Sequence, residues 1–208
     1  MKNFYTALWM LVILLLSFIT NAQQATTKNI NNLPDKKKLL ELLQSSLDEV
    51  FKLTNGLTEA QYVKVPKDST WSASQIVEHL SQIEDGFLRE YFVALNIPPL
   101  SNQSNIFYAT DSAMLAYETT PEKTKARGTN LPLNRYCSKA DALRILKLNR
   151  TETMNVITNE PRDLTKIYSY RAKTNQVYEA KNMYQHFLLL IAHMKRHTHQ
   201  LQKVVGGL

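Results

Sequence analysis

Histidines are concentrated near the C-terminus, where four of the five in the chain lie between Met183 and Val204. If this stretch is a helix, steps of three and four residues place one set of side chains on a single face: Met183, His186, Leu190, His193, His197, Leu201 and Val204. This face is apolar enough to be buried in a core. A neutral imidazole buried there needs a partner for each ring nitrogen, because an unpaired polar group away from water costs free energy.

His193 and His197 are four residues apart, so a helix projects their rings side by side. Two such rings can bind one cation, although buried histidines are more often only hydrogen-bonded within a core. His79, in another apolar-periodic segment, can supply a third imidazole from a second helix. Three imidazoles would leave coordination positions open for substrate. Zn²⁺ or Ni²⁺ suits such ligands best, with Fe or Mn as alternatives.

Two acidic residues, Glu84 and Asp85, follow the upstream histidine by a little over one helical turn. Either could accept a hydrogen bond from an imidazole N–H or act as the general base of a reaction. The alternative is that both are charges that face solvent. His186 lies about 10 Å along the helix from His193 and is expected to remain outside a metal site. His199 points away from the apolar face and is expected to be exposed.

The composition is that of a globular chain. The 208 residues fit one domain, and 44% of them are hydrophobic and 21% charged. Five glycines, without any glycine-rich loop motif, argue against a phosphate-binding loop. The net charge of +7 is spread along the chain without a basic strip interleaved with aromatic residues, so nucleic acid is not an expected partner. The single cysteine, Cys137, permits no internal disulfide and is expected not to be catalytic.

The N-terminus has the features of a secretory signal peptide. Lys2 precedes the apolar run from Ala7 to Ile19, and small residues lead to an expected cleavage after Ala22. An uncleaved anchor is the alternative, but the run is short for a membrane span. The mature protein is therefore expected to be periplasmic or secreted by a bacterium, without a membrane association. The predicted parts of the chain are a signal peptide at 1–22, a flexible leader at 23–33 and one domain at 34–208.

Helical periodicity recurs upstream, and helix-capping residues frame each periodic segment. Ser72 with Gln75 is a capping-box pattern, and Gly206 with Gly207 is typical of a helix end. Helices are predicted from Asp35 to Asn55, from Ser72 to beyond Tyr91, from Ser138 to Glu160 and from about Glu179 to Val205. The inner side of the third helix is predicted to draw on Ala142, Ile145, Leu146, Leu148, Thr151, Met154 and Ile157.

Two irregular segments join these helices. Residues 97–137 contain four prolines and a short predicted helix at 109–117, and residues 162–178 are polar enough for a short strand or a loop. A connection as long as the first one can cross from one end of a bundle to the other or cover a site. The predicted fold class is therefore all-α, a four-helix bundle with one long crossover connection.

Two motifs together resemble those of a known family. They are Trp71-Ser72 followed by Glu78-His79-Leu80, and the downstream His193-x-x-Arg196-His197-x-x-Gln200. Over residues 35–205 the chain resembles the DinB-like (damage-inducible, YfiT-like) metalloprotein superfamily. The resemblance implies an up-down-down-up four-helix bundle and a divalent metal ion bound by His79, His193 and His197. It also implies the activities known in the family, which are thiol-dependent S-transfer and metal-dependent hydrolysis or isomerisation.

The expected function is that of an exported, metal-dependent hydrolase or transferase acting on a small-molecule substrate. The metal ion would act as a Lewis acid. A non-catalytic bundle that binds a metal or a partner protein is the alternative, and a third interpretation is that the histidines are hydrogen-bonded and bind nothing. A homodimer is left open.

Overall fold

The computed structural model describes residues 35–67, 69, 71–98, 100, 105–120, 126, 128–172 and 177–208. In these ranges the elements are α1 (Lys36–Thr54), α2 (Glu59–Val63), α3 (Ala73–Ala94), β1 (Ile106–Tyr108), α4 (Asp111–Ala116), α5 (Lys139–Asn159), β2 (Tyr168–Ala172), β3 (Tyr178–Asn182) and α6 (Met183–Gly206). Short 3-10 turns cover Tyr117–Thr119, Gly128–Asn130 and Leu164–Lys166. The predicted signal peptide, 1–22, and leader, 23–33, lie outside the described residues. Among the described helices, none combines the length and apolarity needed to cross a bilayer.

Helices α1, α3 and α5 begin at side-chain caps, as the sequence predicts. The Asp35 carboxylate accepts the N–H of Lys38 at the start of α1. Ser72 and Gln75 form the predicted reciprocal capping box at the start of α3. Each cap satisfies an N–H group that has no partner inside its helix, which stabilises the helix by about 1 kcal/mol. The start of α3 is therefore fixed, and with it the position of His79 two turns later.

The four long helices form a bundle in which α1 and α6 run in one direction and α3 and α5 in the other. One apolar cluster joins the first halves of α1 and α6 to the second halves of α3 and α5, and a second cluster joins the opposite halves. Around the bundle, α1 contacts α6 and α5, and α3 contacts the same two helices. Since α3 and α5 are parallel, the connection between them extends from one end of the bundle to the other. The predicted helical bundle is confirmed.

A small sheet corrects the all-α prediction. Its strand order is β1-β3-β2, with β1 parallel and β2 antiparallel to β3. Residues 179–182 belong to β3, so the last helix begins at Met183 and not at about Glu179. These strands are difficult to predict, because each is only three to five residues long and period-2 alternation needs a longer run to be distinguished from a loop.

The inner side of α5 was also partly mispredicted. Leu148 is 52% exposed and Thr151 is exposed, whereas Arg150 and Thr153 are buried. Arg150 occupies the interior because its guanidinium donates two hydrogen bonds, at 2.8 and 2.9 Å, to the buried carboxylate of Glu84 on α3. Hydrophobicity alone cannot predict such a residue, since buried arginines are rare unless they are paired. The connection before α3 likewise contains an unpredicted short helix, α2.

The stability of the fold is expected to fall at low pH because of an ion pair at the end of α5. The guanidinium of Arg162 donates hydrogen bonds of 2.7 and 2.9 Å to the Glu160 carboxylate and lowers its pKa from 4.5 to about 2. Stability from this lowered pKa is fully present above pH 4.5 and is lost as the pH falls towards 2. We expect Glu160→Gln to reduce the free energy of unfolding at pH 7 by about 1–2 kcal/mol, a value discounted because Arg162 is half exposed. The free energy of unfolding, measured with urea between pH 7 and pH 3, should differ less between variant and wild type as the pH falls. A difference that stays constant would contradict the lowered pKa of Glu160.

Candidate metal centre

Three imidazoles from two helices meet inside the bundle. His79 comes from α3, and His193 and His197 come from α6, and one ligand atom from each lies within 4.8 Å of the others. The Nε2 atoms of His79 and His193 are 3.2 Å apart. Two nitrogens bound to one tetrahedral zinc ion, each at ~2.05 Å, are separated by about 3.3 Å. The His79–His193 spacing therefore fits a shared cation, and the wider separations within the set need a small rotation of a ring.

Two of the three rings are oriented by hydrogen bonds at the opposite nitrogen. His79 Nδ1 lies 2.8 Å from the carbonyl oxygen of Asn130, and His197 Nδ1 lies 2.8 Å from Oε1 of Gln200. Both oxygens are acceptors, so each Nδ1 carries the proton and donates it. The Nε2 atom of each ring is then the unprotonated nitrogen, which carries the lone pair. Partners of this kind are typical of histidines that bind metal ions.

Burial keeps the three imidazoles neutral. Desolvation lowers the pKa of His79 and lowers the pKa of His197 to about 4. Desolvation, with the neighbouring rings as a second cause, holds the pKa of His193 well below its usual range. All three rings therefore keep lone pairs at neutral pH, which is the protonation state that metal binding requires. His79 is buried, while the two α6 histidines are half-buried.

Aromatic rings form walls on two sides of the cluster. The Trp71 ring centroid lies 5.1 Å from that of His79 and 6.2 Å from that of His197. Tyr117 stacks on His193 at 5.4 Å, and the Arg196 guanidinium lies over the Tyr117 ring. The sequence motif contained Trp71, but nothing in the sequence singled out Tyr117. Asn130 was also missed, since it contributes only a backbone carbonyl, which any residue type could provide.

The structure gives the two acidic candidates arginine partners. Glu84 is fully buried and accepts both hydrogen bonds described above from Arg150. Asp85 is exposed and accepts a hydrogen bond from Arg89, one turn later on the same helix. Among the contacts described for these carboxylates, none reaches an imidazole of the cluster. A general-base role for either residue stays a prediction.

The other singled-out residues lie outside the cluster. His186 is fully buried and its Nε2 lies 2.8 Å from the carbonyl oxygen of Phe87, so it is a hydrogen-bonded core residue outside the cluster, where the sequence predicts it. His199 is exposed, and its Nε2 lies 3.8 Å from a carboxylate oxygen of Glu118. Cys137 is exposed in the segment before α5.

Comparison with known proteins identifies the family and a similar fold. The sequence model of the DinB superfamily matches residues 41–201. Among solved structures, YfiT from Bacillus subtilis, a probable metal-dependent hydrolase with an unusual four-helix bundle topology, is similar in fold, with a TM-score of 0.53 and 13% sequence identity over 81% of this chain and 85% of that chain. At this identity the likeness concerns the fold alone. No curated protein matches the chain. Since the family match covers well over half of the sequence, the chain belongs to the DinB superfamily.

Proposed function

We propose that this protein binds one divalent metal ion through His79, His193 and His197 and uses it in hydrolysis or group transfer on a small-molecule substrate. The observation that carries the proposal is the convergence of three neutral imidazoles from two helices, with two Nε2 atoms 3.2 Å apart. The fold shared with YfiT, a probable metal-dependent hydrolase, supports it. Zn²⁺ or Ni²⁺ suits this nitrogen set best, with Fe or Mn as alternatives.

In this proposal, residues of the chain bind the metal ion, orient the histidine rings and shield the site. Asn130 and Gln200 hold the His79 and His197 rings with their Nε2 atoms free. Trp71 and Tyr117 limit the directions from which a substrate can reach the imidazoles. The two α6 histidines are half-buried, so they keep some exposure to solvent. A bound cation would supply Lewis acidity towards a carbonyl or phosphoryl oxygen of the substrate.

A non-catalytic metal-binding bundle is the second candidate, and one observation favours it. Both acidic residues predicted as general bases, Glu84 and Asp85, are hydrogen-bonded to arginines. A hydrolase of this type needs a group within hydrogen-bond reach of the attacking nucleophile, either directly or through one water. A site that only stores or senses a metal ion needs no such group.

Metal analysis followed by an activity screen separates the candidates. Mature protein purified without a histidine tag, and supplied with Zn²⁺, Ni²⁺, Fe²⁺ and Mn²⁺ in turn, is expected to retain one equivalent of at least one metal. Activity on ester, amide and phosphoester substrates should be lost with a chelator and return with the metal. Protein that retains no metal would refute the proposal, whereas bound metal without chelator-sensitive activity would establish the second candidate.

We also propose that the protein is exported. The apolar run between Ala7 and Ile19 and the small residues that end at Ala22 support this. N-terminal sequencing of protein recovered from the periplasm or the medium of a bacterial host is expected to begin at Gln23. Full-length protein that starts at Met1 and sediments with membranes would contradict cleavage and favour the anchor.

A further inference from the structure

One buried carboxylate beside the metal centre has no role in the function proposed above. Glu78 immediately precedes His79 on α3, and its side chain is only 2% exposed. An ionised carboxylate in such a position is costly unless hydrogen-bond donors surround it. Its donors come mainly from a segment 55–57 residues further along the chain, in the crossover between α3 and α5.

The crossover presents consecutive backbone N–H groups to this carboxylate. Those of Leu133 and Asn134 donate at 2.9 and 2.8 Å, and that of Arg135 donates at 3.4 Å. Asn134 has a φ of 56°, in the left-handed region that asparagine adopts more readily than most residues. The Arg135 guanidinium adds a charged hydrogen bond at 2.6 Å. Successive N–H groups arranged in this way form a binding site for an anion, which here is a side chain of the same protein.

The same crossover segment orients the metal-binding ring of the next residue. Asn130, three residues before Leu133, provides the carbonyl oxygen that lies 2.8 Å from His79 Nδ1. Two adjacent side chains of α3 are therefore attached to one short segment, Glu78 to its backbone donors and His79 to its backbone acceptor. The Glu78 bonds therefore help to hold in place the carbonyl that fixes the His79 tautomer.

We propose that Glu78 is a positioning residue for the metal centre. It anchors residues 133–135 so that the Asn130 carbonyl stays in place and His79 keeps its Nε2 lone pair directed at the cation. The inference rests on the proposed three-histidine site. It assigns Glu78 no contact with metal or substrate, and it explains why a carboxylate is buried beside a metal ligand without joining the ligand set.

Glu78→Gln tests this at nearly constant volume. The neutral amide offers one acceptor oxygen instead of two and directs an NH₂ group at backbone N–H donors. We expect a 10–100-fold weaker affinity for Zn²⁺, the usual loss when a ligand's outer partner is disturbed, because the Asn130 carbonyl that holds His79 is displaced. Affinity is measured by competition with a chromophoric chelator, and Co²⁺-substituted protein should show an altered visible spectrum. In metal-free protein, hydrogen exchange of the 133–135 amides should be faster than in wild type.

Two further variants separate positioning from a general loss of stability. Glu160→Gln also neutralises a buried carboxylate bonded to an arginine, but at the opposite end of the bundle, and should leave Zn²⁺ affinity within about 3-fold of wild type. Arg135→Ala retains the backbone donors and should weaken binding less than Glu78→Gln. Unchanged affinity in Glu78→Gln, or an equal loss in Glu160→Gln, would overturn the inference. Failure of wild-type protein to bind Zn²⁺, Ni²⁺, Fe²⁺ or Mn²⁺ would instead overturn the three-histidine site itself.

Discussion

Replacing His193 with alanine is expected to abolish stoichiometric metal binding. Its Nε2 lies 3.2 Å from that of His79, and its ring centroid lies 4.8 Å from that of His197, so the ring contacts both of the other proposed ligands. Two remaining imidazoles are too few for the closed or three-ligand sites that bind zinc in proteins. After loading and dialysis, elemental analysis should find one equivalent of metal in wild type and close to none in the variant.

His199→Ala is the matched control for this experiment. His199 lies on the same helix, two residues after His197, but its side chain is exposed. The control should retain one equivalent of metal and the thermal stabilisation that metal gives to the wild type. A His193→Ala protein that keeps its full metal content would show that the cation is bound elsewhere, and the proposed site would be wrong.

The largest loss of stability is expected from Arg150→Ala. The side chains of Arg150 and Glu84 are 1% and 0% exposed, and the guanidinium also donates to the Leu43 carbonyl and, at 3.0 Å, to Ser46 Oγ. Removing the arginine leaves an unpaired carboxylate in the interior and takes one hydrogen bond away from each of two oxygens on α1. Breaking a buried pair in this way costs about 3–5 kcal/mol. Chemical unfolding monitored by circular dichroism measures it.

Two controls test whether the loss of stability comes from the buried charge pair: a variant of a surface ion pair, and a double variant of the buried pair. Arg89→Ala removes the partner of Asp85, but both side chains are more than half exposed, so we expect a change of less than about 1 kcal/mol. Arg150→Met combined with Glu84→Gln should be more stable than Arg150→Met alone, because the double variant leaves no buried charge. If Arg150→Ala cost no more than Arg89→Ala, the buried pair would not be what joins α1, α3 and α5.

The helices could be predicted because their signals are local. Asp35, Ser72 and Ser138 cap helices in the structure as predicted, and the apolar face of α6 is buried at Met183, His186 and Leu190. The sheet could not be predicted in the same way. Strand β1 pairs with β3 through residues such as Ile106 and Tyr178, which are far apart in the chain, and long-range pairing leaves little trace in a short segment.

For the site, the converging histidines could be predicted, but the contacts that orient their rings could not. Three histidines with helical spacing and a family motif identified the ring atoms that converge, since a helix fixes which side chains share a face. Their orientation depends on contacts that the sequence does not encode locally. Asn130 acts through its backbone, and the stacking of Tyr117 on His193 requires the fold of the crossover. Glu78 was visible in the motif, but its donors could be identified only from the structure.

Because α6 follows α1, α3 and α5 in the sequence, the imidazole cluster can form only after α6 has been synthesised. His79 and His193 are separated by 114 residues, and α6 contacts both α1 and α3. A ribosome adds residues from the N-terminus onward, so α1, α3 and α5 emerge before α6 does. Until α6 is translated, the nascent chain contains only one of the three imidazoles, that of His79. An ion that needs all three imidazoles, as proposed above, would therefore bind only after α6 has been synthesised.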